Sequence, residues 1–420
     1  MSRSAVREIQ VSGISVPRGD VVVPTQIGDP LGGLLACRAA PLVAGSLRAR
    51  GRAVRLADLP NCDNPSGDFD ATLYLVTCQQ QDGSTAAVAA AAAPGDALSG
   101  AAARTAVEEW GAVSASRTLL LAASPWCTGA LHAAGAARDA ATQYQGTGVK
   151  VYLLEPAAIP AETASALTDL GAIIAPSMTD VEPGSVVVFP AHGVTPEIRT
   201  EATRRQVTVI DATCPMVAAA QTAARHAAER DQHLVLVSQP GHAATPAIAS
   251  EAPGHVSVVE GPAKTAAVRA SDTLHLSYLL QPGVAHEAGA PIVNALRSRY
   301  PAVRPVVPAE VCYAPSDRAG TIYSVALGSD LMLVVGDPRA TDTKQVCAQA
   351  RDSGTKVLLV CDIGDIKPPL LAPVHTIGLA ESTSAPAGLA AQVITALSGL
   401  GRLSVVRRKL STDKATSAPA

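Results

Sequence analysis

Three cysteines share a local setting in which each follows an apolar run and opens into a helix-compatible segment. They are TLLLAASPWCTG around Cys127, VTVIDATCPMV around Cys214 and VVPAEVCYAPSDR around Cys312. One α/β lobe's length of chain separates each from the next, so three lobes around a common centre would deliver one thiolate apiece. Three protein ligands leave a fourth position open, which distinguishes catalytic metal centres from closed structural ones. Iron–sulfur clusters are held by cysteine thiolates. No CxxC pair occurs, which disfavours zinc-ribbon and thioredoxin chemistry. On spacing alone, ordinary core thiols remain the alternative. Cys37, Cys62, Cys78, Cys347 and Cys361 read as core or surface thiols.

The elements that must position these residues alternate along the chain. Short β-branched or Leu-rich runs fall at 21–24, 118–123, 149–154, 185–190, 207–212, 233–238, 331–336 and 356–361. Ala-rich helical stretches lie between them, at 161–170, 216–230, 292–299 and 343–352. Continuous apolar strands separated by helices predict an α/β fold of parallel sheets covered on both faces. Ligands gather where loops leave the carboxyl ends of such strands, and the three cysteines fall there. The organisation expected is an N-terminal α/β domain over 1–113, a larger unit over 114–405 and a disordered tail over 406–420. The Ala/Gly/Ser-rich stretch 83–103 reads as a soft boundary or an Ala-rich helix.

Composition narrows the function classes. Aromatic residues make up 3% of the 420 residues against 48% apolar overall, so the cores are built from many small aliphatic contacts. A net charge of −3 gives no basic footprint for nucleic acid. No apolar run reaches the ~18 residues of a membrane span. The opening MSRSAVREIQVSG has no apolar signal-peptide region, so the expected location is the cytoplasm. Eight cysteines in a reducing compartment do not imply a disulfide framework.

Local sequence makes the cysteine pattern specific. FPAHGV (189–194), DATCP (211–215) and EVCYAPSDR (310–318) resemble the AHGV, DATCP and ICYAT-x-NR signatures of the 4-hydroxy-3-methylbut-2-enyl diphosphate reductase family, LytB/IspH. SPWCTGALHA (124–133) is similar to its first-cysteine motif, and GH (241–242), LRSRYP (296–301), LVVG (333–336) and TSAP (383–386) are further anchors. The resemblance runs from about 117 to 400 and leaves residues 1–113 outside it. It implies a three-lobed, trefoil-like arrangement of small parallel-sheet units around a central cofactor, with the N-terminal α/β domain as an addition. It also implies a [4Fe–4S] cluster on Cys127, Cys214 and Cys312, with one open iron that takes a substrate hydroxyl, and a ferredoxin or flavodoxin as electron donor.

The departures from the family fall in the substrate residues. His192 and His242 match two of its three diphosphate-binding histidines, while the third aligns with Ile159. The family's proton-relay Glu falls on Ala244, its QTT motif reads Gln281-Pro282-Gly283, and its SSN triplet reads Ala340-Thr341-Asp342. Only the late Ser384 is kept. An alanine relays no proton, and removing a positioned acid typically costs 10²–10⁴-fold. Asp342 sets a negative charge where a diphosphate would lie, a repulsive element. The candidate set is therefore His242, Thr245 and Thr341 for catalysis, and His192, His242, Gln281, Thr341, Asp342 and Ser384 for a small-molecule substrate. The expected activity is reductive dehydroxylation of a small allylic-type substrate other than the usual diphosphate. The alternatives are the authentic diphosphate reductase, a non-redox sulfur transferase or dehydratase, and a non-catalytic iron–sulfur sensor.

Overall fold

The computed structural model describes residues 5–28, 33–59, 70–154, 161–269, 274–306 and 312–408. The expectations for Cys62, for Ile159 and for the chain beyond 408 lie outside these residues. The described chain forms two compact units, one of residues 1–123 with 321–409, the other centred on 124–320.

The first unit begins with strands β1 (Arg7–Val11), β2 (Asp20–Gly28) and β3 (Leu34–Ala36), helix α1 (Ala40–Ala49), strands β4 (Ala53–Leu59), β5 (Ala71–Gln79) and β6 (Thr85–Ala92), and helix α2 (Ala97–Ala112). The six strands make a mixed sheet in the order β1-β5-β6-β3-β2-β4. Its β2–β4 pair is parallel, whereas β1–β5 and β5–β6 are antiparallel. The stretch 83–103 is neither a boundary nor a single helix, because it contains strand β6 and the start of α2. Alanine is depleted from strands and favours helices, which is why TAAVAAAA reads as helical. It is a strand because Ala86–Ala92 lie buried between β5 and β2, where small side chains let α1 and α2 pack closely. Trp110 of α2 is fully buried there and donates its Nε1–H to Ser46 Oγ of α1 at 2.9 Å.

Strand β7 (Arg117–Leu121) follows, and the chain enters the second unit. There it forms α3 (Thr128–Tyr144), β8 (Val151–Leu154), α4 (Ala161–Asp169), β9 (Ile173–Ala175), β10 (Val186–Phe189), α5 (Pro196–Arg204) and β11 (Thr208–Asp211). After these come α6 (Pro215–Glu229), β12 (His233–Val237), α7 (Ala244–Ala249), β13 (Val256–Val259), β14 (Leu276–Leu280), α8 (His286–Arg299) and β15 (Arg304–Pro305). Two four-stranded parallel sheets result, β11-β10-β8-β9 and β13-β12-β14-β15.

Helix α9 (Ala314–Leu327) leads back to the first unit, which is completed by β16 (Leu331–Val335), α10 (Thr341–Arg351), β17 (Val357–Val360), α11 (Pro368–Leu371), β18 (Thr376–Glu381), α12 (Leu389–Ser398) and β19 (Leu403–Arg407). Strand β7 joins these in a five-stranded parallel sheet, β17-β16-β18-β7-β19. The last strand runs into the segment read as tail. The three parallel sheets match the expected α/β class, and their buried strands are continuous apolar runs, as sheets covered on both faces require.

Within the first unit, the mixed and five-stranded sheets share one core. Two glycines make this possible. A Cβ at Gly45 of α1 would lie 2.7 Å from the Gly364 Cα, and one at Gly399 would lie 2.3 Å from the Ala39 nitrogen. The buried Arg117 secures the connection by donating to the carbonyls of Val113 (2.6 Å), Leu371 (3.1 Å) and Val374 (3.1 Å).

Candidate metal centre

All three candidate cysteines stand at or just before the start of helices. Cys127 is the N-cap of α3, and its sulfur accepts the Ala130 N–H at 3.4 Å. Cys214 caps α6 with Pro215 at the first helical position, and its own N–H donates to the Ala191 carbonyl at 2.9 Å. Cys312 comes just before α9 and receives the N–H groups of Gly283 and Ala314. The positive end of a helix favours a thiolate. Burial pushes the Cys312 thiol up, the two amides pull it back, and the charges of Cys127 and Cys214 push it up again, with a net rise. The sulfurs of Cys127 and Cys214 are therefore close enough for their charges to bear on Cys312.

Gly129 lets two of them converge. A Cβ there would lie 2.8 Å from the Cys214 sulfur and 3.8 Å from that of Cys127, so the two sulfurs are separated by no more than the sum of these distances. Among the described residues, no three His, Cys, Asp or Glu side chains are close enough to share a single ion. A four-iron cluster asks for less, since each thiolate binds its own iron. Three thiols at helix starts are donors of the type such a cluster takes.

The sequence-predicted residues of the same unit gather on neighbouring loops. The His192 and His242 rings meet edge to face, with centroids 5.5 Å apart. Helix α6, headed by Cys214, fixes both loops: its buried Gln221 donates to the carbonyls of Val194 (3.2 Å) and Ala247 (3.0 Å). Burial depresses the His192 pKa, and burial reinforced by the charge of His192 lowers that of His242 to about 4. Both rings are neutral near pH 7. The Ala244 N–H donates to His242 Nδ1 at 3.2 Å, so the neutral ring carries its proton on Nε2. Gly283, in the left-handed region at φ +95°, leaves room for this ring, because a Cβ there would lie 2.3 Å from His242 Nε2.

Thr245 links two buried polar residues. Its hydroxyl donates to Gln281 Oε1 at 2.8 Å and pairs with Ser238 Oγ at 2.8 Å. Gln281 and Ser238 are each 1% exposed. Gln281 Nε2 and His192 Nδ1 are buried without a hydrogen-bond partner in the structure.

Thr341, Asp342 and Ser384 belong to the other unit and form a set of their own. Thr341 is the exposed first residue of α10. The Asp342 carboxylate accepts the Thr383 N–H at 2.7 Å, the Thr383 hydroxyl, the Ser384 N–H at 3.3 Å and the Ser384 hydroxyl at 2.9 Å. Burial alone would raise its pKa, but these bonds outweigh burial and hold it below the usual carboxylate value. Beneath it, the buried hydroxyls of Thr343 and Ser382 pair at 2.9 Å, and both reach Ser384 Oγ, at 3.0 and 3.1 Å. A Cβ on Gly336, at the end of β16, would lie 2.4 Å from both Ser382 Oγ and Thr343 Oγ1.

Sequence reasoning missed four contributors: Gly129, Gly283, Ser238 and His286. The His286 ring stacks on Tyr313, beside Cys312, at 5.1 Å and 14°. Its backbone N–H donates to Ser316 Oγ at 2.9 Å, and its Nε2 is buried without a partner in the structure. A signal for the two glycines was present, since each lies two residues from a residue already singled out.

Residues 119–398 match the family model described as LytB protein. The chain is 35% identical over 251 residues to a 4-hydroxy-3-methylbut-2-enyl diphosphate reductase 2 of Mycobacterium bovis, covering 59% of this chain and 76% of the relative. To the 4-hydroxy-3-methylbut-2-enyl diphosphate reductase of Streptomyces coelicolor it is 30% identical over 295 residues, covering 69% and 86%. Among solved structures it resembles the E-1-hydroxy-2-methyl-but-2-enyl-4-diphosphate reductase of Plasmodium falciparum, with a TM-score of 0.60 at 21% identity over 70% of this chain and 93% of that one. At that identity the likeness concerns the fold, and it is the α/β fold expected from the sequence. The mixed six-stranded sheet, β1 to β6, lies outside the matched residues.

Proposed function

The chain belongs to the LytB family, and on that premise we propose that it carries a [4Fe–4S] cluster on Cys127, Cys214 and Cys312. It is an oxidoreductase of the 4-hydroxy-3-methylbut-2-enyl diphosphate reductase type. The reaction proposed is reductive removal of a hydroxyl from a small allylic-type substrate that is not the diphosphate for which its relatives are named. The observation that carries the cofactor assignment is the set of three thiols at helix starts, two of them brought together over Gly129.

When bound, the cluster supplies electrons and a Lewis-acidic iron, which suit the departure of a hydroxyl that is a poor leaving group on its own. The protein's part is orientation and proton supply. His242, neutral with its proton on Nε2, would orient a substrate oxygen as a hydrogen-bond donor, and the Thr245 hydroxyl sits in a chain with Ser238 that can pass a proton at Oγ1. Gln281 presents the polar edge that Thr245 leaves free. Thr341 is the corresponding hydroxyl of the first unit. Ala244 stands at the family's carboxylate position and offers no proton, which supports a changed substrate. We assign residues 1–113 to an added domain and 114–405 to the reductase unit, with a ferredoxin or flavodoxin as electron donor. A second reading, the authentic diphosphate reductase, is favoured by the names of the relatives.

Anaerobic purification with iron and sulfide analysis, on wild type and Cys214→Ala, tests the assignment. About four irons and four sulfides per chain are expected in wild type, with visible absorbance that Cys214→Ala loses. A colourless wild type without iron after reconstitution overturns it. Assay of the iron-loaded chain on 4-hydroxy-3-methylbut-2-enyl diphosphate with a chemical reductant then separates the two readings, and turnover at a rate typical of enzymes selects the second.

A further inference from the structure

The carboxylate of Asp342 occupies a donor set that would otherwise suit a phosphoryl group. Two backbone N–H groups and two hydroxyls, from Thr383 and Ser384, converge on its two oxygens. Carboxylate and phosphoryl oxygens are interchangeable acceptors for such donors. Asp342 lies in the first turn of the eleven-residue α10, where a negative charge is favoured, and its bonds keep it ionised. The hydroxyls beneath it are also committed, with Thr343 and Ser382 buried and paired to each other and to Ser384. An incoming phosphoryl group would have to displace a carboxylate tethered to the same helix and overcome its charge.

We propose that Asp342 is a specificity-determining residue that acts as a resident anion and keeps phosphoryl groups off the Thr383–Ser384 donors. The molecule that this reductase handles is uncharged where those donors lie. The second statement rests on the reductase reading, whereas the first is a property of these residues alone.

The test titrates inorganic pyrophosphate, and separately inorganic phosphate, into the anaerobically purified full chain by calorimetry. Wild type, Asp342→Ser, Asp342→Asn and the double variant Asp342→Ser/Ser384→Ala are compared, with iron content and thermal transition recorded for each. Wild type is expected to show no saturable binding. Asp342→Ser is expected to bind pyrophosphate about tenfold or more tightly than wild type, and the double variant to lose that gain. Asp342→Asn, which keeps the shape and removes the charge, is expected to show part of the gain, and it decides the matter if Asp342→Ser does not fold. Wild type that binds pyrophosphate as tightly as the variants overturns the proposal. So do folded variants that bind none, which would make Asp342 a tether between α10 and the loop after β18. A chain without iron that shows the gain leaves the exclusion standing and removes the reductase reading, and an iron-loaded chain without the gain does the reverse.

Discussion

The polar residues beside the cysteines and those around Asp342 are satisfied in opposite ways. In the second unit, His192 Nδ1, Gln281 Nε2 and His286 Nε2 are buried with no partner in the structure. In the first, the Asp342 carboxylate has four donors, and the hydroxyls of Thr343, Ser382 and Ser384 bond to one another or to it. A buried polar group without a partner costs about 1–3 kcal/mol, so each of the three is a group that a hydrogen-bond partner would stabilise. A saturated cluster carries the opposite message, since its donors are already spent on the chain itself. The donors around Asp342 are thus taken up within the chain, whereas those three ring and amide nitrogens beside the cysteines are not.

The largest effect should come from placing a side chain where a glycine stands in each region. Gly129→Val drives a side chain onto the Cys214 sulfur, and iron content after reconstitution should fall to a small fraction of wild type. Gly336→Ala crowds Ser382 and Thr343 just as tightly, and overpacking of this kind typically costs about 1–3 kcal/mol. Its iron content should stay at the wild-type level. If Gly336→Ala loses iron as fully as Gly129→Val, the assignment of the cluster to the second unit's thiols is wrong.

Acid separates the regions through two windows. His242 has a folded pKa of about 4 against an ordinary 6.5. Between those values the unfolded chain binds a proton that the folded chain does not, so stability falls as pH drops from 6.5 to 4. Taken at face value the shift amounts to about 3 kcal/mol, complete below the lower value. Asp342 is also depressed, but from 3.8, so its contribution is present above that value and lost only as pH falls below it. Urea unfolding of the metal-free chain should show the upper window, and His242→Gln should reduce its slope to the shares of His192 and His233, which burial also lowers, while leaving the lower one. An unchanged slope in His242→Gln would place the titration elsewhere.

Much of this was legible in the sequence because periodicity and composition report on covered parallel sheets. The runs at 186–189, 233–237 and 331–335 are strands where apolar continuity put them. Strand β6 was not legible, because alanine says little about strand or helix until its neighbours are known, and β5, β2 and two helices decide it. The helix starts at the three cysteines were legible from the segments that follow them. The close approach of Gly129, two residues after Cys127, to the Cys214 sulfur was not, since it depends on how two helix starts far apart in sequence pack together. Asp342 was legible as a charge in an unexpected place. That its own chain supplies four donors to it comes from Thr383 and Ser384, forty residues away in sequence, and pairings at that range have no local signature.

The smallest difference compares the same substitution in both regions. Thr245→Val removes the hydroxyl that joins Ser238 to Gln281. Gln281 is 1% exposed and would then lose the one hydrogen bond its side chain makes, while Ser238 keeps only the Gln239 carbonyl at 3.2 Å. The cost should be about 1–3 kcal/mol, and Thr245→Ser should recover most of it. Thr383→Val also removes one hydroxyl bond, but residue 383 is exposed, and its N–H still donates to Asp342 at 2.7 Å. Water replaces what is lost, so the cost should be at most about 1 kcal/mol. Chemical denaturation of the three variants resolves differences of this size. Equal losses for Thr245→Val and Thr383→Val would mean that Gln281 finds another partner once Thr245 is gone, and the amide would no longer be held in one direction for a ligand.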